Sequence, residues 1–358
     1  MKKNTDVNES RIFFLDFFRF LAMVFVIVLH VYVPVEFELK MGYPFYIAMC
    51  IPIFMISTGF NLSLSDDRKY DTNNNFKNYI KARIHHRSVW QRIKRIVIPF
   101  LPLFAIFLFF LLKKQSFASF SEFIKYLVFT GWGPGSYYIP ALIQIYLIWP
   151  LLHYFSNRSI QLTFIFTLVF TTIFEILINI KIFPEIYYRY YIHRHLPFIL
   201  CGVLFQHWYT KEDFILNPSF KKFKKRFGIL AISFILGLTH IIKNQYMGIK
   251  PLIFYNWRAS AVPTLLYIFP VLVFCAMIIR HQCMKIPRIL KTCIVNISKA
   301  SFHIYLFQMF YYCLPVSQIG ENIYVKILRN LIICIVGGFL YYLIGNKISN
   351  LLKRRKIS

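Results

Sequence analysis

Apolar residues run along this chain in ten stretches separated by polar, basic segments, near 12–34, 43–62, 96–112, 137–155, 160–180, 192–208, 227–243, 260–280, 298–315 and 325–346. Most approach the roughly 20 residues that a helix needs to cross the hydrocarbon core at a rise of about 1.5 Å per residue. Backbone groups in lipid have to be satisfied within the chain, so such runs predict helices. The pattern therefore predicts an all-α, polytopic membrane bundle of about ten transmembrane helices, with both termini on one side. No internal repeat is visible, and the longest polar stretch, 63–95, has too few apolar residues for a core of its own. The chain reads as one membrane domain over 1–358, with a polar cytoplasmic loop and basic amphipathic segment at 63–95 and a basic tail at 347–358. From about Phe76 the segment reads as an amphipathic basic helix on the membrane surface. The segment 113–136 holds Gly131-Trp-Gly-Pro-Gly135 and reads as a turn-rich external loop.

Composition agrees with this pattern. Residues of the apolar set make up 58% of the chain, with 40 Phe and 24 Tyr. The opening MKKNTDVNESR resembles the start of a signal peptide, but Asp16 and Arg19 interrupt the run after it and no small-residue cleavage site follows, so it reads as an uncleaved first span. Seven cysteines lie in or beside apolar runs without metal-like or disulfide-scaffold spacing, which makes them small core residues and predicts no metal.

The formal charge of +28 changes the picture only through its distribution. With the N-terminus inside, the cytoplasmic tails and loops hold 29 of the 42 Lys and Arg residues and the external segments hold 12, Arg19 being the remaining one. That asymmetry is the positive-inside pattern, and it predicts cytoplasmic termini in a plasma-membrane protein attracted to anionic lipid headgroups. It does not point to nucleic acid.

Ionisable groups inside spans are expensive and mark function by default. Arg19 and His30 stand eleven positions apart, about 16 Å along a helix and close to three full turns, so both face one side. A histidine there is suited to act as a general base or to carry an acyl group transiently. Asp16, one turn before Arg19, is placed to hold the guanidinium. Arg92 and Arg95, three apart at the entry of the third run, form a fork suited to phosphate, and anchoring at the membrane surface explains them as well. Ser57 and Thr58 precede Gly59, where small residues let helices approach closely.

Six segments, in order, carry a resemblance to a known family. They are Leu15-Asp16-Phe-Phe-Arg19-Phe-Leu-Ala22 leading to His30, Pro52-Ile-Phe-Met-Ile-Ser-Thr-Gly-Phe60, Arg92-x-x-Arg95 with Pro99, Tyr138-Ile-Pro-Ala-Leu-Ile-Gln-Ile-Tyr146-Leu-Ile-Trp-Pro150, Leu196-Pro-Phe-Ile-Leu-Cys-Gly202 and Ser301-Phe-His-Ile-Tyr305-Leu-Phe-Gln308. Together they resemble the acyltransferase 3 family of membrane acyltransferases over nearly the whole chain. The resemblance implies a ten-helix bundle that moves an acyl group, usually acetyl, from cytosolic acyl-CoA to a hydroxyl of a cell-envelope glycan or lipid-linked sugar. It implies Arg19 and His30 as the essential pair and Arg92 with Arg95 at the acyl-CoA. Thr58 stands where Ser is usual, Gln308 stands where many members have His, and no extracellular hydrolase-like domain follows. The expected partners are membrane lipids, a glycan acceptor, and a second copy or a biosynthetic complex.

Two further sites follow from the residues. Arg189, His193 and Arg194, among tyrosines before the sixth run, suit an anionic sugar acceptor, although an interfacial aromatic belt accounts for them too. Glu175, a carboxylate deep in the fifth run, is a candidate to orient His30 or the acceptor hydroxyl. The rival function is a glycan or lipid translocase without covalent chemistry, which usually leaves inverted repeats that are not visible here.

Overall fold

The computed structural model describes residues 12–70, 75–85, 87–114, 119–121, 135–183, 188, 190–210, 220–251, 253, 261–282, 285–320 and 322–354. Among these residues there is no strand, and the α-helices are α1 (Phe13–Leu29), α2 (Val35–Lys40), α3 (Cys50–Asp67), α4 (Phe76–His85), α5 (Ser88–Lys114), α6 (Tyr138–Arg158), α7 (Ile160–Asn179), α8 (Leu196–Thr210), α9 (Phe220–Ile241), α10 (Leu265–Gln282), α11 (Arg288–Tyr311) and α12 (Ile323–Arg354). Each of the ten apolar runs lies on one of the ten longer helices. Six helical segments are long and apolar enough to cross a membrane: Tyr43–Asp67, Tyr138–Arg158, Ile160–Asn179, Arg226–Tyr246, Val262–Arg280 and Ile323–Ile348. The protein is therefore a multi-pass membrane protein. Helices α1 and α8, at 17 and 15 residues, fall short of that set by length.

Helix α1 sits at the centre, between α3 and α11, and buries Phe14, Phe18, Ala22, Met23, Val26 and Ile27. Helix α3 packs tightly on α8 because two glycines face each other across the contact. A Cβ on Gly59 would stand 2.0 Å from the Ile199 carbonyl oxygen, and one on Gly202 would stand 2.1 Å from that of Ile56. Only hydrogen fits at either position, so the backbones touch as small-residue membrane contacts do. Helices α7, α9 and α12 instead present mostly exposed apolar faces.

Three element ends differ from the sequence expectation. Helix α1 stops at Leu29, so His30 is its C-cap residue rather than an interior one. The last turn tightens, with His30 N–H donating to Ile27 O at 3.3 Å and Val31 N–H to Val28 O at 3.1 Å, and Tyr312 Oη caps Ile27 O at 2.7 Å. Pro34 then opens α2, which a helix continuing from α1 would not tolerate. Helix α3 runs on to Asp67, taking Asp66 and Asp67 out of what reads as a loop. The basic segment breaks at Arg87, whose φ of 48° is left-handed, so α5 begins at Ser88 and already contains Arg92 and Arg95. Cysteines 50, 201, 275, 293, 313 and 334 are free thiols, and three of them are buried. Of the turn-rich stretch 131–135, only Gly135 lies among the described residues.

Candidate active site

Helices α1, α3, α5, α6 and α11, with Tyr342 of α12, enclose a cavity of about 440 Å³. Arg19, Met23 and Val26 line it from α1 at spacings of four and three, which keeps them on one face of a helix. Arg95 enters from α5, Thr58 from α3, Tyr138 and Tyr146 from α6, and Ser298, Lys299 and Tyr305 from α11. Thr58 and Tyr138 share a hydrogen bond, and Arg19, Arg92 and Arg95 all act electrostatically on Tyr146. The lining thus combines cationic groups, hydroxyls and apolar wall, and among the described residues it contains no carboxylate. Asp16 lies just outside it, buried, and its Oδ1 accepts a hydrogen bond from Ser298 Oγ at 2.7 Å.

His30 stands beyond the tyrosines. Its Nε2 would be 3.4 Å from a Cβ built on Gly135, and its ring centroid is 5.8 Å from that of Tyr312. Tyr305 Oη donates to Gly135 O at 2.5 Å, and the Tyr305 and Tyr138 rings are 5.3 Å apart. Gly135 has φ of 87°, a left-handed conformation that suits glycine and brings bare backbone up to the imidazole. Tyr305 of the cavity wall and the His30 ring thus both lie beside Gly135, while His30 itself is not part of the cavity lining.

The other sequence candidates divide among different places. Ser57 is buried and its Oγ has no hydrogen-bond partner, whereas Thr58 faces the cavity. Arg95 reaches the cavity, but Arg92 pairs with Asp66, its Nη1 at 3.2 Å from Oδ2 and its Nη2 on Oδ1. Glu175 meets His193 and Tyr188: Tyr188 Oη donates to Glu175 Oε1 at 2.6 Å, and His193 Nε2 is 3.1 Å from the same oxygen. Arg194 lies over the Tyr188 ring at 5.0 Å, and the His195 ring stacks on Tyr137. Glu175, His193 and Arg194 are thus one buried cluster, joined towards the cavity through Tyr137 and its neighbour Tyr138. Arg189 lies outside the described residues.

Sequence reasoning missed Asp66 altogether. This fully buried carboxylate takes both guanidinium groups, of Arg83 and Arg92, and the Trp149 indole N–H at 2.6 Å. It lies in the last turn of α3, where the helix dipole disfavours an anion, so the three donors are what hold it there. Beside it, Arg83 Nη1 donates to Tyr79 Oη at 2.7 Å, and that hydroxyl is 2.7 Å from His153 Nδ1. His153 Nε2 is in turn 3.0 Å from Asp67 Oδ1, which also accepts from Asn157 at 2.9 Å. Burial pushes the Tyr79 hydroxyl above its ordinary pKa, which keeps it protonated in this chain of contacts. The available signal was an Asp pair directly after an apolar run in a chain with 14 carboxylates against 42 cations.

A helical bundle with six segments long and apolar enough to cross a membrane, and with a cavity lined by Arg19, Arg95, Lys299 and several hydroxyls, belongs to the class of integral membrane proteins. The family model described as an acyltransferase domain, that of the acyltransferase 3 family, matches residues 12–345. The chain belongs to that family. No curated protein and no solved structure matches it.

Proposed function

We propose that this protein is a plasma-membrane O-acyltransferase that moves an acyl group, most simply acetyl, from cytosolic acyl-CoA to a hydroxyl of a cell-envelope glycan or lipid-linked sugar. The observation that carries the reading is the cavity itself, in which Arg19, Arg95 and Lys299 lead through Tyr138 and Tyr305 towards His30. Guanidinium groups bind phosphate oxygens bidentately, so Arg95 takes the phosphates of the donor, while Arg92 stays paired with Asp66. Arg19 lies between them and the reacting end, about 16 Å from His30 by helical rise, which makes it a binding group for the donor. At His30 the imidazole takes the proton from the acceptor hydroxyl as the hydroxyl oxygen bonds to the thioester carbonyl carbon. The carbon–sulfur bond breaks, and the coenzyme A thiolate leaves with the proton that His30 has held. This reading assigns the acceptor sugar to the segment of Arg189, His193 and Arg194, with the buried contacts of Glu175, His193 and Arg194 holding that segment in place.

The test is coenzyme A release from acetyl-CoA by membranes carrying the wild type, His30→Ala or Arg19→Ala, with crude envelope glycan as acceptor. Release with labelled glycan from the wild type, abolished by His30→Ala and weakened by Arg19→Ala, is the expected result. Release that survives His30→Ala would remove the base from this position. Correctly inserted protein that turns over no short acyl-CoA with a broad acceptor set would replace the reading by a glycan translocase.

A further inference from the structure

A second concavity, of about 530 Å³, opens where α4, α5 and α6 meet, and it shares no residue with the cavity of Arg19. Its polar wall is Arg83 of α4 and Arg87 of the left-handed turn, and its apolar wall includes Trp90 and Ile93 of α5 with Leu147 and Pro150 of α6. Arg83 is 2% exposed, and its Nε has no hydrogen-bond partner although its two terminal nitrogens are taken by Tyr79 and Asp66. Asp66 is shared with Arg92, so Arg83 is not neutralised one for one. Lys94 adds a further cation above the Trp90 ring, at 5.4 Å.

The apolar wall does not close over the concavity. Trp90 and Leu147 are 54% and 58% exposed, and the outward faces of α5 and α6 continue through Ile98, Leu101 and Leu151, all exposed. A ligand here has an anionic group for the arginines and a hydrocarbon portion that leaves along those faces. Tryptophan at the rim and an amphipathic basic helix above it are the features of a membrane–water boundary.

We infer that this groove binds one anionic phospholipid of the leaflet that α4 faces, with its phosphate on the exposed Arg87 at the mouth, above the buried Arg83, and an acyl chain against Trp90 and Leu147. A free phosphate would satisfy the arginines and leave the apolar wall unused, and a zwitterionic lipid would bring a second cation into a cationic groove. The inference stands apart from acyl transfer, because none of the groove residues has a part in that reading.

Native mass spectrometry of the full-length protein in detergent, titrated separately with phosphatidylglycerol, phosphatidylcholine and inorganic phosphate, tests it. The expected result is one retained phosphatidylglycerol. One basic group near a membrane surface contributes about five-fold in affinity, so Arg87→Gln should weaken that retention by about five-fold and Arg87→Lys should restore most of it. Melting of both variants in phosphatidylcholine should match the wild type, since Arg87 is exposed in a turn. Equal retention of phosphatidylcholine and phosphatidylglycerol, or phosphatidylglycerol retention that Arg87→Gln leaves unchanged, overturns the site. Inorganic phosphate that displaces phosphatidylglycerol at millimolar concentration overturns the lipid as its ligand.

Discussion

The Asp66 network and the Arg19 cavity both gather arginines between helices, and they treat the charge in opposite ways. Around Asp66 the guanidinium groups of Arg83 and Arg92 end on a carboxylate supplied by the chain, with Trp149 completing the shell. Around Arg19, Arg95 and Lys299 the described lining offers hydroxyls and apolar groups but no carboxylate, and the space between them is open. Charge satisfied within the chain fixes helix ends, here those of α3, α4 and α5 against α6. Arg95 and Lys299, by contrast, stand on the wall of a cavity that has room for a ligand. Arg92 and Arg95, one helical turn apart, fall on the two sides of this division.

Breaking the first region should cost most. Asp66→Ala leaves two guanidinium groups without their buried counter-ion and should destabilise the fold by about 3–5 kcal/mol, seen as a lowered melting temperature or loss of monodisperse protein in detergent. The two arginines sharpen the contrast. Arg95→Ala should raise the KM for acetyl-CoA about ten-fold with melting unchanged, as expected for one lost charge-assisted contact to the donor, whereas Arg92→Ala should lower the melting temperature. If both variants alter only the KM, the division between the regions fails.

Gly135→Ala places a methyl group 3.4 Å from His30 Nε2 on left-handed backbone, and should cost about 1–2 kcal/mol together with a fall in kcat. Thr58→Val removes the bond to Tyr138 and should cost about 1 kcal/mol, while Ser57→Ala, which deletes an unpartnered hydroxyl, should stay within about 0.5 kcal/mol. Thermal unfolding in detergent measures all of these stability effects.

The helices were legible because hydropathy is a local property: each of the ten apolar runs carries one of the longer helices, and the amphipathic segment from Phe76 begins as α4 before it breaks at Arg87. The ends were less legible, because tertiary partners set them. Asp66 reads as the start of a polar loop, and only donors 17, 26 and 83 residues away in sequence make it the end of a buried helix. Helical spacing predicts Arg19 and His30 on one face of a single helix, but α1 ends at Leu29, one residue short of the histidine, and no spacing rule could bring Thr58, Arg95 and Tyr305 to the cavity of Arg19. Glu175 and His193 were both singled out, for separate tasks, and the fold makes them partners. Ser57 and Thr58 are adjacent and alike in chemistry, so only the packing of Gly59 on α8 decides which hydroxyl reaches the cavity.

The long separation between Asp66 and Trp149 bears on the order in which the chain is made. At about 5–20 residues per second, the indole leaves the ribosome roughly 4–17 seconds after the carboxylate that it will bond, since 83 positions separate them. Arg83 and Arg92, 17 and 26 positions after Asp66, emerge much sooner, before α6 has been synthesised. The basic stretch after the second apolar run is in this respect an early escort for an acidic residue, and only later part of the finished architecture.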